Sequence, residues 1–420
     1  MVSRRSFVLA GAAAALGAPA WALSHAPRAA AGERVENAQN AGRAHAAASL
    51  PITLRNTSGS DTVHAYISGS DESGWPGFVG ADGGFHRLAA PSAVLTPVPD
   101  HSIPLGPSGS PGVRVTLNQY VISGRVWFSV GRKLEFFVNP PVGGGVPGMV
   151  QPALTPADPN WRTNWTFCEF TYNSANLYAN ISYVDMVSLP VAMSTTGSAG
   201  PQSVPPLPAG ALGRIADGLR AQHAADGAPW DRLVVTDDAG KVVRAMAPVH
   251  EASGFGDYWE PYLDAVWRHF GTTPLTVDGQ GGIGRFTGRV TGGALVLAGL
   301  DDNGVPFTRP SAVDIFGCAS GPLYNSGGDA RGAVAARLAA ALNRSSLLVE
   351  GGHDQPNGVP PERYYTHPVT NHYARLVHEH ATVGYAFPYD DVGPTGSTPV
   401  DGHLQDGAPA SWTLELGPGT

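Results

Sequence analysis

Residues 161–190 read WRTNWTFCEFTYNSANLYANISYVDMVSLP. Two runs within them suit a strand, in which successive side chains point to opposite faces. In a strand from Phe167 to Asn173, Glu169, Thr171 and Asn173 share one face. In a strand from Ile181 to Val187, Tyr183 and Asp185 share a face. The stretch mixes aromatic rings, amides and hydroxyls with only two acids, Glu169 and Asp185. Aromatic faces cover the apolar side of a pyranose, and amide or hydroxyl groups address its hydroxyls, so this mixture suits a sugar-binding groove. The two acids are sixteen positions apart and fall on different strands. On neighbouring strands their carboxyls can flank one bond, one protonated and one ionised, as glycoside hydrolysis needs. Taken by themselves, the same acids read first as solvent-facing strand residues.

The β texture continues outward. Ile52 to Leu54 and Thr62 to Ile67 are short strand patterns with Asn56 to Asp61 as the turn. Val126 to Val130 and Leu134 to Val138 flank Gly131-Arg132-Lys133 and predict a hairpin. Stretches 91–112 and 140–147 are rich in Pro and Gly and read as loops. After a Pro/Gly/Ser linker from Ser194 to Ala209 the period changes. Leu212, Ile215, Ala216 and Leu219 mark one side of a helix over Ala211 to Ala225. Further helices are predicted over Asp257 to Phe270, stopped by Gly271, over Gly332 to Leu348 and over Asn371 to Ala381. Strand patterns at Leu233 to Thr236, Leu275 to Val277 and Ala294 to Leu300 lie between them. The expected organisation is therefore mainly β with an α/β insertion: a β domain over 50–204, a mixed α/β domain over 205–380, and a return to β over 381–420.

Composition bounds the partners. The 420 residues include 54 Gly and 37 Pro, with 42% hydrophobic and 14% charged residues. That combination is turn-rich rather than disordered. A net charge of −8 excludes a binder of phosphate backbones, so no nucleic-acid partner is expected. Ser3-Arg4-Arg5-Ser6-Phe7-Val8-Leu9, followed by an Ala-rich apolar run, is a twin-arginine export signature. Residues 1–31 read as this signal and 32–49 as a leader. Loss of the signal removes Arg4, Arg5 and Arg28 and no acid, taking the net charge from −8 to −11. No later stretch is long and apolar enough to cross a bilayer, and a secreted monomer with no membrane partner is expected. Export permits a bridge between Cys168 and Cys318 without requiring one, and their pairing stays open.

Other motifs carry less. Gly279-Gln280-Gly281-Gly282-Ile283-Gly284 has a dinucleotide-loop pattern, but Phe286 to Val290 after it reads as a strand where a helix is needed. His378-Glu379-His380 places its imidazoles on different sides of a helix, which argues for a surface or interdomain role over a metal site. No Gly-x-Ser-x-Gly elbow is present. No metal or cofactor is expected. Asp390 and Asp391 are expected to cap or hydrogen-bond loops.

Glu169-Phe170-Thr171, Ile181-Ser182-Tyr183-Val184-Asp185 and Leu189-Pro190 resemble the acidic-cleft stretch of thaumatin-like proteins. Tyr385 to Asp391 resembles their C-terminal segment and Ile52 to Tyr66 their first hairpin. The α/β portion is similar to glycoside hydrolase family 64, bacterial β-1,3-glucanases that release laminaripentaose. The motifs that carry this are Tyr258-Trp259, Asp264 to Trp267, Asp314 to Cys318 and Asn371 to Arg375. The likeness runs from about residue 50 onward.

The resemblance implies a thaumatin-like β-sandwich or barrel with a mixed α/β domain forming an open groove. It implies an inverting hydrolase of β-1,3-glucan such as laminarin, curdlan or fungal cell wall. Glu169 would protonate the leaving oxygen and Asp185 would deprotonate the attacking water, with the carboxyls about 6.5–9.5 Å apart. Thr171, Asn173, Tyr178 and Ser182 match sugar-contacting positions. Partial burial among Trp165, Phe167 and Phe170 is expected to keep Glu169 protonated. The family pattern has a further Cys in the helix that here reads Arg337-Leu338-Ala339-Ala340, which leaves Cys318 without that partner. A non-catalytic β-glucan-binding protein, like many thaumatin relatives, is the alternative.

Overall fold

The computed structural model describes residues 48–398 and 400–419. The expected export signal, and the leader as far as residue 47, lie outside the described residues. Strand outweighs helix, 30% to 22%, which makes the chain mainly β. Contacts divide it into two compact units. One holds the described residues up to Phe255 with Asn371–Asp391 and Thr398–Thr420; the other holds Gly256–Thr370 with Val392–Ser397.

The first unit is built on two large sheets. Five strands run in the order Gln202–Val204, Val191–Gly197, Pro409–Leu416, Leu50–Asn56, Val113–Leu117. Leu50–Asn56 pairs with Pro409–Leu416 in parallel, Ile52 opposite Trp412. The second sheet runs His403–Asp406, Leu177–Asn180, Asn164–Tyr172, Val121–Val130, Val63–Ser70, Pro76–Val79, Phe85–Arg87. Cys168, Phe170 and Tyr172 are buried on one face of Asn164–Tyr172, and the Phe170 ring meets Trp412 of the five-stranded sheet at 5.1 Å. Gly124 lies opposite Phe170 because the ring covers it; a Cβ there would run into the ring. The other face carries Trp165, Phe167, Glu169 and Thr171. Trp165 joins Trp127, Tyr66, Phe78 and Phe136 in an aromatic core, with Phe167 packed against it.

Two expected hairpins are absent. Leu50–Asn56 and Val63–Ser70 belong to different sheets, so the turn between them is a crossover. After Val130 the chain does not fold back: Leu134 and Phe136 are drawn into the aromatic core, and the Leu134 N–H donates to Tyr66 Oη at 2.8 Å. Burial of two large side chains outweighs the local turn pattern.

The contact division falls at 255/256, 370/371, 391/392 and 397/398. Packing shows why the segments before 255 and after 371 go with the first unit. Val242–Met246 pairs antiparallel with Met186–Val187, Met246 opposite Met186. The helix Ala211–Asp226 buries Leu212, Ile215 and Leu219, and its Gly218 lies close under Leu376 of the helix His372–His380.

In the second unit, strands Leu275–Asp278, Arg285–Thr291, Ala294–Leu297 and Asp354–Gln355 form a sheet with helices Glu260–Thr272 and Asp329–Asn343 beside it. Gly271 does not stop the first helix, which runs to Thr272. Arg285–Thr291 follows the glycine-rich loop as a strand, as the sequence indicated. Neither Cys168 nor Cys318 forms a disulfide; both are buried. Among the described residues no helix is long and apolar enough to cross a membrane.

Candidate active site

Glu169 sits in the middle of Asn164–Tyr172, directly opposite Arg125 of Val121–Val130. Opposed residues of an antiparallel pair share a face and touch. Arg125 donates to Glu169 Oε1 from Nη2 at 3.0 Å and from Nε at 3.3 Å. Its Nη1 donates to Gln151 Oε1 at 2.6 Å. The guanidinium lies over the Phe167 ring, 4.4 Å from its centroid, and 5.4 Å from that of Trp127. Stacking and two acceptors leave Arg125 little freedom, so it holds Glu169 in one place. The Glu169 side chain remains 40% exposed and accessible to a substrate.

This corrects the expected apolar surroundings. Phe170 points to the opposite face of the strand, toward Trp412, and cannot cover Glu169. Trp165 and Phe167 share the Glu169 face, but the nearest partner is the Arg125 cation.

Asp185 is not on a strand. The expected strand over Ile181 to Val187 shrinks to Leu177–Asn180 before it and Met186–Val187 at its end, with a bend at Asp185. Distant backbone groups shape the intervening turn. Ile181 N donates to Gly402 O and Tyr183 N to Tyr385 O, at 2.8 and 2.7 Å. Tyr373 Oη donates to Tyr183 O at 2.7 Å. Burial, and after it the Asp185 carboxylate, push the Tyr373 phenol well above its ordinary value and keep it a donor. The Asp185 carbonyl accepts from Ala247 N at 2.8 Å. Its carboxylate Oδ1 lies 3.1 Å from His250 Nε2, and a carboxylate only accepts, so the imidazole donates. Both side chains are largely buried, Asp185 at 11% and His250 at 16% exposed.

A cavity of about 10 Å³ adjoins Asp185, lined by Thr166, Phe167, Ser182, Tyr183 and Leu189 among others. That is the size of a single water site. Phe167 contributes to this cavity and lies two positions from Glu169 on the same strand face. Ser182 is thereby placed beside Asp185.

The remaining residues lie at the other end of the Glu169 strand. Thr171 is on the Glu169 face, opposite Tyr178, and accepts from Ser123 N at 3.4 Å. Asn173 lies just beyond the strand and serves the turn: its Oδ1 accepts from Ala175 N and Asn176 N at 2.9 and 3.0 Å. Tyr178 is exposed and stacks on His403, centroids 5.5 Å apart at 20°. His378 Nε2 lies 2.8 Å from Asp390 Oδ2, a buried carboxylate that also accepts from Ala386 N. Asp390 thus fixes a loop.

Arg125 and His250 escaped sequence reasoning. Arg125 was findable once strands 121–130 and 164–172 were paired in register. No local pattern marks His250, which reaches Asp185 from a short helical segment, Pro248–Phe255.

The chain resembles several known proteins. The sequence model of the family described as Glyco_hydro_64, Beta-1,3-glucanase, matches residues 48–416. A glucan endo-1,3-beta-glucosidase of Cellulosimicrobium cellulans is 31% identical over 370 residues, 85% of this chain. The chain spans 64% of that relative's length. Among solved structures, a laminaripentaose-producing beta-1,3-glucanase in complex with laminaritetraose is 33% identical, with a TM-score of 0.75. That match covers 89% of this chain and 99% of the relative. The beta-1,3-glucanase domain of Clostridium beijerinckii shares the fold at 21% identity and a TM-score of 0.64, covering 88% and 98% of the two chains. With a family match over nearly all the described residues, this chain belongs to glycoside hydrolase family 64, the family described as beta-1,3-glucanase.

Proposed function

We propose that this chain is an exported, monomeric hydrolase of β-1,3-glucan that inverts the anomeric carbon and releases laminaripentaose. Family membership and a laminaripentaose-producing relative at 33% identity support the substrate and product. The twin-arginine segment at residues 3–9 supports export. The sandwich of two sheets, with an acid at mid-strand and a second near Leu189-Pro190, supports kinship with thaumatin-like proteins.

The observation that carries the reading is an acid held beside a cavity of water size, where an attacking water would sit; the acid role of Glu169 is taken from the family resemblance. Asp185 is buried, held by the His250 N–H and bordered by a cavity of water size. Glu169 is half exposed on a sheet face. In this reading Glu169 gives its proton to the glycosidic oxygen as that bond to the anomeric carbon breaks. A water beside Asp185 attacks the same carbon from the opposite side, and Asp185 takes its proton. The β-linkage becomes an α-anomer. Glu169 ends ionised and Asp185 protonated, and exchange with solvent restores both. The reading requires about 6.5–9.5 Å between the carboxyls, room for that water. Thr171, Asn173, Tyr178 and Ser182 contact sugar on either side of the bond.

The test is a digest of linear β-1,3-glucan by the wild type and by Glu169→Gln, followed for product length and anomeric proton signal. Pentasaccharide appearing first as the α-anomer, and absent with the variant, supports the reading. Products starting as the β-anomer overturn the inverting mechanism. Binding without hydrolysis leaves a lectin-like protein.

A further inference from the structure

Arg125 grips one oxygen of Glu169 rather than two. Its Nη2 at 3.0 Å and its Nε at 3.3 Å both donate to Oε1. The frequent alternative is two parallel bonds, one to each carboxylate oxygen. Here Oε2 stays outside the clamp.

The neighbours of the guanidinium explain this. The Phe167 ring, its centroid 4.4 Å from Cζ, fixes the plane. Rotation within that plane is what would carry a second N–H onto Oε2. Gln151 opposes that rotation, because its Oε1 accepts from Arg125 Nη1 at 2.6 Å. A guanidinium only donates, so the amide oxygen faces it. The amide nitrogen then meets Met149 Sδ at 3.8 Å, a weak acceptor. Gln151 directly follows strand Gly148–Val150, which pairs with Phe137–Asn139. Its position is therefore set by a different sheet from the one that carries Glu169.

The distinction matters to an acid. A carboxylate clamped through both oxygens is held ionised by the cation, with neither oxygen open to a proton. With one oxygen clamped, a protonated Glu169 offers Oε1 as the acceptor Arg125 needs and Oε2–H as a donor. In the reaction above, the Oε2 proton joins the glycosidic oxygen and the O–H electron pair stays on the carboxylate. The glycosidic oxygen keeps the electrons of its broken bond to the anomeric carbon.

We infer that Gln151 is a positioning residue for the acid: by holding Arg125 on Oε1, it reserves Oε2 of Glu169 for the catalytic proton. The inference rests on the acid role proposed for Glu169. The titratable and charged groups around Glu169 are Arg125 on one neighbouring strand, Tyr178 on the other and His403 one strand beyond, with Asp185 and His250 at the cavity that Phe167 borders. Of these, Gln151 is hydrogen-bonded to Arg125, and a change at Gln151 acts through that cation.

The test uses the full chain and two substitutions with opposite expectations. Gln151→Leu keeps bulk and drops the acceptor, which frees Arg125 to take both oxygens. The basic limb of its kcat/KM profile against pH, on laminarihexaose, is expected about one unit below that of the wild type, with a rate about tenfold lower on the alkaline side. Gln151→Glu keeps the acceptor and adds a negative charge, and its limb is expected about half a unit or more above the wild type. Lost packing alone would lower kcat in both variants and move neither limb. Carboxyl titration by carbon-13 NMR, with Glu169 assigned by the signal missing from Glu169→Gln, reads the same shifts without substrate. Near-ultraviolet circular dichroism checks folding. A limb and a Glu169 titration that keep wild-type values in folded Gln151→Leu overturn the inference, as does a shift in the same direction in both variants. If the wild type does not cleave laminarihexaose, the hydrolase reading fails and the NMR titration still decides whether Gln151 governs the proton on Glu169.

Discussion

His250 Nε2 lies 3.1 Å from Asp185 Oδ1, and the two side chains are buried together. The bond fixes the carboxylate that would accept a proton from water. His250→Ala is expected to lower kcat on laminarihexaose about ten- to a hundredfold with KM nearly unchanged, because a small misplacement of a reacting group costs rate rather than affinity. His250→Gln places an amide N–H near the same spot and is expected to recover most of kcat. Steady-state kinetics of both variants decide the point; a wild-type kcat in His250→Ala would remove His250 from the mechanism.

Arg125 orients Glu169 from across the sheet while stacked on Phe167. Arg125→Met keeps the stem and drops the guanidinium. Its expected effect is a kcat about tenfold lower or more with the fold intact, as the acid loses its one orientation. Arg125→Lys is not expected to rescue, since a point charge cannot hold two acceptors and a ring at once. Kinetics with near-ultraviolet circular dichroism as the folding check measure this.

Gly124 is glycine because the Phe170 ring lies over it. Gly124→Ala is expected to cost about 1–3 kcal/mol of unfolding free energy through overpacking. Phe170→Leu, made alongside, should relieve part of that clash, so the double variant is less destabilised than the sum of the singles. Urea midpoints of the four proteins close this cycle.

Asp406 supplies a pH dependence. Burial alone would raise its carboxyl, but hydrogen bonds from the Ser198 hydroxyl and from the N–H groups of Ala199, Ala408 and Ser198 leave it below the ordinary value. A carboxyl lowered on folding stabilises the fold above its ordinary value, about 3.9, and that stability fades as pH falls through the lower folded value. Asp406→Asn is therefore expected to cost about 1.5–3 kcal/mol at neutral pH, the worth of charge-assisted bonds. The gap to wild type should narrow steadily below about pH 4. Urea unfolding at pH 7, 4 and 3 reads it out.

The sequence carried the fold where pattern and burial agree. The helix over Ala211–Asp226 follows its apolar spacing, and the helix His372–His380 begins at Asn371, whose side chain accepts from Ala374 N. Alternation in Asn164–Tyr172 placed Glu169 and Thr171 on one face correctly. Asp185 was misplaced because Ile181–Asp185 looks like a strand, yet its N–H groups are claimed by Gly402 and Tyr385, some two hundred positions on. The Leu134 and Phe136 segment failed for the same reason, a distant hydrophobic demand overriding a local turn. His250 was invisible because its partner is defined only by three-dimensional pairing of Met186–Val187 with Val242–Met246.

The parallel pairing of Leu50–Asn56 with Pro409–Leu416 bears on synthesis as well as on architecture. The later strand lies at the centre of its sheet, between Val191–Gly197 and Leu50–Asn56. A growing chain thus carries both flanking strands with unsatisfied edges until residues 409–416 leave the ribosome. Residues 256–370, whose contacts are mostly their own, can settle first. Completion of the sandwich waits on residues 409–416, so a chain cut short of Trp412 would present sticky strand edges to a chaperone or protease in place of a finished sheet.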